Sequence, residues 1–113
     1  MSKSWRPYAQ HILDTIAKIR RIEARGKFSD DEILYDAALR NLQTLSEATQ
    51  HLPDELKTRH AEIPWQQIIG FRNILVHSYL GEIDAQTIQR VVEQFLAPLE
   101  QVIRAMLASA EAE

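Results

Sequence analysis

The chain has 113 residues, no cysteine and a formal net charge of −3, with 45% hydrophobic and 26% charged residues. These values are ordinary for a soluble globular protein, and the lack of cysteine excludes disulfides and thiolate zinc sites. The charge is uneven, at +5 over residues 1–28 and −8 over residues 29–113.

No run of about 18 apolar residues is present, and the N-terminus lacks the apolar stretch of a secretory signal. We therefore expect a cytoplasmic protein without a membrane segment. The length predicts a single domain over residues 1–113.

The first predicted element is a helix over about residues 5–25, because apolar residues recur there at helical spacing. Gly26 is a suitable residue to end it. The apolar stripe consists of Tyr8, Ile12, Ile16 and Ile19.

A basic stripe lies on another face of this helix, because Lys18, Arg21 and Arg25 recur at intervals of three and four residues. Arg20 and Lys27 lie nearby in the sequence. The stripe could guide a polyanion such as RNA, meet the acidic surface of a partner protein, or simply form a solvated helix face.

The second helix is predicted to begin in a capping box, with Ser29 as N-cap and Glu32 three residues later, and to end near His51. Arg40 lies opposite its apolar stripe, where a structural ion pair and a role near a functional cleft are both open. The stripe consists of Leu34, Ala38, Leu42, Leu45, Ala48 and Leu52.

Prolines mark the next two helix starts, with Pro53 opening a short helix and Pro64 a third main helix that ends at Gly81. Asp84 suits the N-cap of the last helix, which continues through Pro98. Its apolar stripe consists of Ile88, Val91, Val92, Phe95, Leu99, Val102, Ile103 and Met106. Four main helices, one short helix and short connections predict an all-α, antiparallel up-down bundle.

The third main helix ends in a segment that combines arginine and histidine, Arg72 and His77. A guanidinium offers rigid, forked donors to phosphate oxygens, and an imidazole can transfer a proton near neutral pH. RNA supplies its own nucleophile, the 2′-hydroxyl, so such a pair could cleave it without a metal. Structural roles are the alternative, with His77 opposite the helix dipole and Arg72 in an ion pair.

Helix geometry suggests that one copy of this segment is incomplete. Positions five apart differ by about 140° and about 7.5 Å of rise, so Arg72 and His77 do not share a face, whereas Asn73 and His77 do. Two copies across a two-fold axis would bring paired arginines and histidines together. We therefore predict an isologous homodimer with this helix at its interface.

The remaining histidines show no spacing typical of a helical zinc site, so neither a metal nor another cofactor is expected. These residues are His11, His51 and His60, and we expect them at the surface. Trp5 and Trp65 are predicted to anchor the core or an interface.

The stretch FRNILVHSYLGEID resembles the defining segment of the HepT-like branch of the HEPN superfamily. The resemblance extends to YAQHILDTIAKIRRI in the first helix and DAALRNLQTLSEATQHLP in the second. It also includes IPWQQIIGFRNILVHSY and IDAQTIQRVVEQFLAPLEQVI, and so covers nearly the whole chain.

This resemblance implies a metal-independent, RNA-cleaving toxin with Arg72 and His77 in the cleft of a homodimer and Asn73 supporting the site. It also implies a cognate nucleotidyltransferase antitoxin of the MntA type, which transfers AMP to Tyr79. The added phosphate charge and bulk would repel the substrate phosphate. An alternative is a non-catalytic helical subunit that binds nucleotide for a separate nucleotidyltransferase, and the pI of about 5.8 favours it somewhat.

Overall fold

The computed structural model describes residues 4–68 and 84–112, and all regular secondary structure within these ranges is helical. A further helical stretch begins at Trp65 and reaches the end of the first range. The predicted all-α class is confirmed. The main elements are α1 (Arg6–Arg25), α2 (Glu32–Thr49), α3 (Asp54–Arg59) and α4 (Ala85–Ala112).

The end of α1 lies where the sequence predicts it, because Gly26 adopts a backbone conformation that only glycine reaches easily. Its φ is 151° and its ψ is −179°. A Cβ atom at this position would also lie 3.3 Å from Leu34 Cδ1. Gly26 therefore both ends α1 and allows the chain to turn closely onto α2.

The start of α2 differs from the prediction, because Asp31 is the N-cap. Its Oδ1 accepts a hydrogen bond from the backbone N–H of Ile33 at 2.9 Å. The predicted capping box at Ser29 and Glu32 is wrong, since a turn closed by the hydrogen bond from Asp30 N–H to Lys27 O (3.1 Å) precedes the helix. Several consecutive polar residues can each cap a helix, and the turn geometry selects among them.

Contacts between the helices show that α1 runs antiparallel to both α2 and α4. Tyr8, near the start of α1, stacks on His51, just after the end of α2, with ring centroids 4.1 Å apart and planes 10° apart. On the other side, Arg20 contacts Glu100 and Glu23 contacts Gln89. The residue numbers along α4 therefore decrease as those along α1 increase. This arrangement agrees with the predicted up-down bundle.

The core is built from apolar stripes on the three long helices, with α1 in contact with both of the others. Each fully buried Ile or Leu side chain contributes about 1.5–3 kcal/mol relative to an exposed one. Buried hydroxyl groups donate back to helix carbonyls, as Ser46 Oγ does to Leu42 O at 2.8 Å. The most deeply buried aliphatic residues include Ile12, Ile16, Ile19, Ala38, Leu42, Leu45, Ile88, Leu99 and Ile103.

The apolar stripe on α4 is rotated slightly from the predicted one. Leu96, which the prediction omits, is 4% exposed, whereas Val91 and Phe95 are only half-buried. The helix continues through Pro98, as predicted. None of the helices in the described ranges combines the length and apolar content needed to cross a bilayer.

Candidate functional site

The residues predicted to carry the chemistry fall between the two described ranges. Arg72, Asn73, His77 and Tyr79 lie outside the described residues, so their roles stay predictions. The structure does show how the chain enters and leaves this segment, and which charged surfaces α1, α2 and α4 present.

The chain enters the segment from an anchored helix start. Trp65 is 9% exposed, and its indole Nε1–H donates to Lys57 O at 3.0 Å and to His60 O at 3.1 Å. The first helical hydrogen bond runs from Ile68 N–H to Pro64 O at 3.1 Å. The predictions of a core tryptophan and of a helix that begins at this proline are confirmed.

The chain leaves the segment at Asp84, whose carbonyl accepts from Ile88 N–H at 3.2 Å as α4 begins. Burial raises the pKa of Tyr35, and the negative charges of Asp36 and Asp84 raise it further. The negative charge of Asp84 therefore acts on a tyrosine of α2 and favours its protonated form.

An apolar groove with a volume of about 200 Å³ lies between α2, the helical start at Trp65 and α4. Ser46 lines it, but its hydroxyl already donates to Leu42 O, so it offers little chemistry. Val91 and Phe95, which are half-buried, lie on the side of α4 that faces this groove. Its lining includes Leu42, Leu45, Ile68, Val91, Phe95 and Leu99.

The basic stripe of α1, composed of Lys18, Arg21 and Arg25, is exposed along its whole length. These positions lie within an arc of about 60° on the helix, on the side opposite buried Ile16 and Ile19. Across residues 4–68 and 84–112, no carboxylate forms an ion pair with any of the three cations.

Arg20 has a different role from the stripe beside which it stands in the sequence. Its Nη1 donates to Glu100 Oε1 at 2.7 Å, joining α1 to α4. Glu100 also accepts from Arg104 Nη2 at 3.1 Å. The hydrogen bond from Arg20 is the main reason that the pKa of Glu100 lies below its ordinary value.

A second polar contact joins the same two helices. Gln89 Nε2 donates to Glu23 Oε2 at 3.2 Å, and Gln89 Oε1 accepts from Phe28 N–H at 3.4 Å. Burial raises the pKa of Glu23, the charge of Glu93 raises it further, and Arg20 opposes both. Sequence reasoning missed these contacts because the partners are more than 60 residues apart.

Arg40 is exposed on α2, as predicted, and its carbonyl accepts from Thr44 Oγ1 at 3.0 Å. Its guanidinium has no ion pair with any carboxylate that the structure describes. The stacking of Tyr8 on His51 sets the antiparallel register, which places Arg40 at about the level of Ile19. Whether Arg40 lies near a functional cleft stays a prediction.

The histidines of the described ranges lie at or near the surface, as expected. His11 and His51 are exposed, and His60 is half-buried with Nδ1 3.7 Å from Glu62 Oε2. In this part of the chain, no group of three or more histidine, aspartate or glutamate side chains converges to hold a metal ion.

The family model described as Ribonuclease HepT-like matches residues 10–106. The chain belongs to the HepT-like family. The matched range includes α2, α3, most of α1 and α4, and the sequence segment that contains Arg72, His77 and Tyr79.

Two relatives of this HepT-like chain match most of its length. A protein of Caldanaerobacter subterraneus subsp. tengcongensis named "Putative RNase" is 31% identical over 109 residues, which cover 93% of this chain and 96% of that protein. A protein of Thermococcus cleftensis named "Probable ribonuclease HepT" is 28% identical over 103 residues, or 88% of this chain and 93% of that protein.

The match also extends to part of a larger relative. "Gamma-glutamylcyclotransferase and putative RNase" of Methanocaldococcus jannaschii is 31% identical over 113 residues, covering 90% of this chain and 50% of that protein. No solved structure matches this chain significantly.

Proposed function

We propose that this HepT-like chain is a metal-independent endoribonuclease toxin that works as a homodimer. The observation that supports this most is the family match over residues 10–106, together with relatives whose names describe them as ribonucleases. The sequence supports it further, because Arg72 and His77 are suitable groups for phosphodiester chemistry and lie in the matched range.

The proposed reaction is an internal transesterification. The 2′-oxygen of RNA forms a bond to the adjacent phosphorus, and the bond from phosphorus to the 5′-oxygen breaks. His77 transfers a proton, and Arg72 stabilises the negative charge that develops on the phosphorane oxygens. The products are a 2′,3′-cyclic phosphate and a free 5′-hydroxyl.

The homodimer is part of this proposal because of the spacing of the two residues. On one helix, Arg72 and His77 point about 140° apart. A two-fold axis would place the arginine of one copy and the histidine of the other around one phosphate, with Asn73 alongside.

The test of catalysis is RNA cleavage by the purified protein in EDTA. Arg72→Ala and His77→Ala should each lower the rate about 100-fold or more, in the range typical of lost acid-base or electrostatic catalysis. Arg59→Ala and His11→Ala are matched controls, because both side chains are exposed in the described structure. These controls should cleave like the wild type, and all four variants should melt at the wild-type temperature.

Neutralisation by a cognate MntA-like nucleotidyltransferase is the second part of the proposal. The Tyr79 phenol oxygen would attack the α-phosphorus of ATP, forming a phosphodiester bond and releasing pyrophosphate. A negative phosphate beside the cationic site would then repel substrate. The support for this part is the resemblance of residues 71–84 to the HepT-like motif, which places a tyrosine two residues after the histidine.

Intact mass spectrometry tests the modification after incubation with the partner and ATP. The wild type and Tyr8→Phe should gain one or more AMP units, whereas Tyr79→Phe should gain none. A stable complex with unmodified mass would instead favour the non-catalytic subunit. Expression without the partner should stop growth, and expression with the partner should be tolerated.

A further inference from the structure

We propose that the basic stripe of α1 binds the phosphate backbone of RNA, an inference that deepens the proposed function and rests on it for the substrate. The stripe consists of Lys18, Arg21 and Arg25, which rise over about 10.5 Å along one side of the helix. All three are exposed, and they face away from the core.

Several other cations that the structure describes are held by carboxylates. Arg20 is held by Glu100 at 2.7 Å, Arg104 by the same carboxylate at 3.1 Å, and Lys57 approaches Asp54 at 4.0 Å. The stripe has no such partner in the ranges that the structure describes. It differs from isolated cations without a described ion pair, such as Arg40, because three such cations share one face of a helix. Its three positive charges are therefore available to an external polyanion, in a chain whose net charge is −3.

Positive charge continues beyond the end of α1. Lys27 and Arg90 line the same open groove, where the chain after α1 meets the first turns of α4. Ser29 also lines it and brings a hydroxyl group, while Glu93 supplies one opposing carboxylate. At the other end of the stripe, Asp14 lies four residues before Lys18 and carries a negative charge. Its Oδ1 accepts a hydrogen bond from Gln10 Nε2 at 3.1 Å. The stripe thus starts at Lys18, and Lys27 and Arg90 add positive charge where the chain after α1 meets α4.

An RNA backbone fits this surface better than an acidic protein does. Stable protein interfaces have an apolar core with aromatic or aliphatic anchors. The exposed residues beside the stripe are small or polar, such as Ala17 and Ala24. Among the described residues, the large apolar side chain that is strongly exposed is Ile33, at 74%. It lies on α2 and not on α1. Arginine and lysine without apolar anchors are typical of phosphate contacts, which carry most of the affinity for nucleic acids.

The test measures binding without cleavage, so that it does not depend on the proposed catalysis. The probe is a fluorescent, single-stranded 2′-O-methyl oligouridylate, which lacks the 2′-hydroxyl nucleophile. Its affinity for the wild-type protein is measured by anisotropy between 50 and 200 mM salt, a range over which phosphate contacts weaken strongly. If the protein binds the probe through the stripe but does not cleave RNA, the proposed catalysis is refuted and the proposed binding is not.

The main variant combines Lys18→Gln, Arg21→Gln and Arg25→Gln. It should bind the probe roughly 10-fold or more weakly at 100 mM salt. The slope of log affinity against log salt should become shallower by about 2, since each contact to a single strand contributes about 0.7. The charge-preserving combination of Lys18→Arg, Arg21→Lys and Arg25→Lys should retain most of the affinity, because backbone contacts depend on charge more than on shape.

The control variant combines Lys57→Gln, Arg59→Gln and Arg104→Gln, which removes one lysine and two arginines elsewhere. It removes three positive charges, as the stripe variant does. Its slope of log affinity against log salt should equal that of the wild type within error. The inference fails if the stripe variant keeps the wild-type slope, or if the control variant loses as much affinity. It also fails if poly-L-glutamate competes as well as RNA at equal charge, because the surface would then suit an acidic protein.

Discussion

Two faces of α1 each carry an arginine, and the two arginines have different roles. On the side that faces α4, Arg20 donates to Glu100 at 2.7 Å. Its neighbour Arg21 is exposed and has no ion pair with any described residue. Consecutive helix positions point about 100° apart, so one arginine joins helices and the next faces water. The helix face, more than the residue type, decides whether a cation is structural or available for a ligand.

The largest effect should come from the core side of α1. Ile16→Ala should lower the free energy of unfolding by about 2–5 kcal/mol, because it leaves a cavity in a fully buried site. Lys18→Ala, two residues away, should change it by less than about 0.5 kcal/mol. Urea unfolding measures both, and similar losses in the two variants would contradict the separation of faces.

The next effect concerns the contact that Gln89 makes between α1 and α4. Gln89→Ala removes hydrogen bonds to Glu23 and to the backbone of Phe28, and should cost about 1–2 kcal/mol. Gln94→Ala is the matched control, because Gln94 is exposed on the same helix. Chemical denaturation should separate the two variants, and equal stability would show that the contact contributes little.

A smaller effect should distinguish the two adjacent arginines. Arg20→Ala should cost less than about 1 kcal/mol, since the ion pair with Glu100 is partly exposed, and the loss should shrink at high salt. Arg21→Ala should leave the unfolding free energy unchanged while weakening RNA binding. The comparison fails if Arg21→Ala destabilises the fold more than Arg20→Ala does.

The smallest effects are those of pH, and they have opposite signs for two glutamates on these helices. Glu100 has a lowered pKa in the folded state, so its contribution to stability is present above its unfolded pKa and is lost as the pH falls through the lowered value. Glu23 has a raised pKa, so its contribution is present at low pH and is lost as the pH rises through the raised value.

Stability measured across acidic pH tests these signs. The stability difference between the wild type and Glu100→Gln should shift in favour of the wild type as the pH rises. The difference for Glu23→Gln should shift the other way. If both glutamates gave the same sign, either the contact of Glu100 with Arg20 or the burial of Glu23 near Glu93 would be wrong.

Sequence reasoning succeeds for this fold where a backbone constraint is local. Gly26 and Pro53 mark the helix boundaries correctly, because their conformations are restricted whatever surrounds them. It fails at Ser29, because Asp31 can cap a helix equally well and the geometry of the preceding turn selects Asp31 as the N-cap.

Partners distant in the sequence cause the remaining differences. The apolar stripe on α4 includes Leu96, whereas Phe95 is only partly buried. The reason is that packing against the other helices sets the rotation of α4 about its own axis. The role of Arg20 depends on Glu100, which lies 80 residues away. The basic stripe was recognisable from spacing alone, whereas its lack of ion pairs required the structure. The motif residues lie outside the described residues, and their roles stay predictions.

The central claim is that Arg72 and His77 cleave RNA through its own 2′-hydroxyl. The most direct measurement is an analysis of the ends produced when the purified protein cuts a defined RNA in EDTA. The account predicts 2′,3′-cyclic phosphate and 5′-hydroxyl ends, which Arg72→Ala and His77→Ala both suppress. Cleavage that stops in EDTA, or that leaves a 5′-phosphate end, would contradict it.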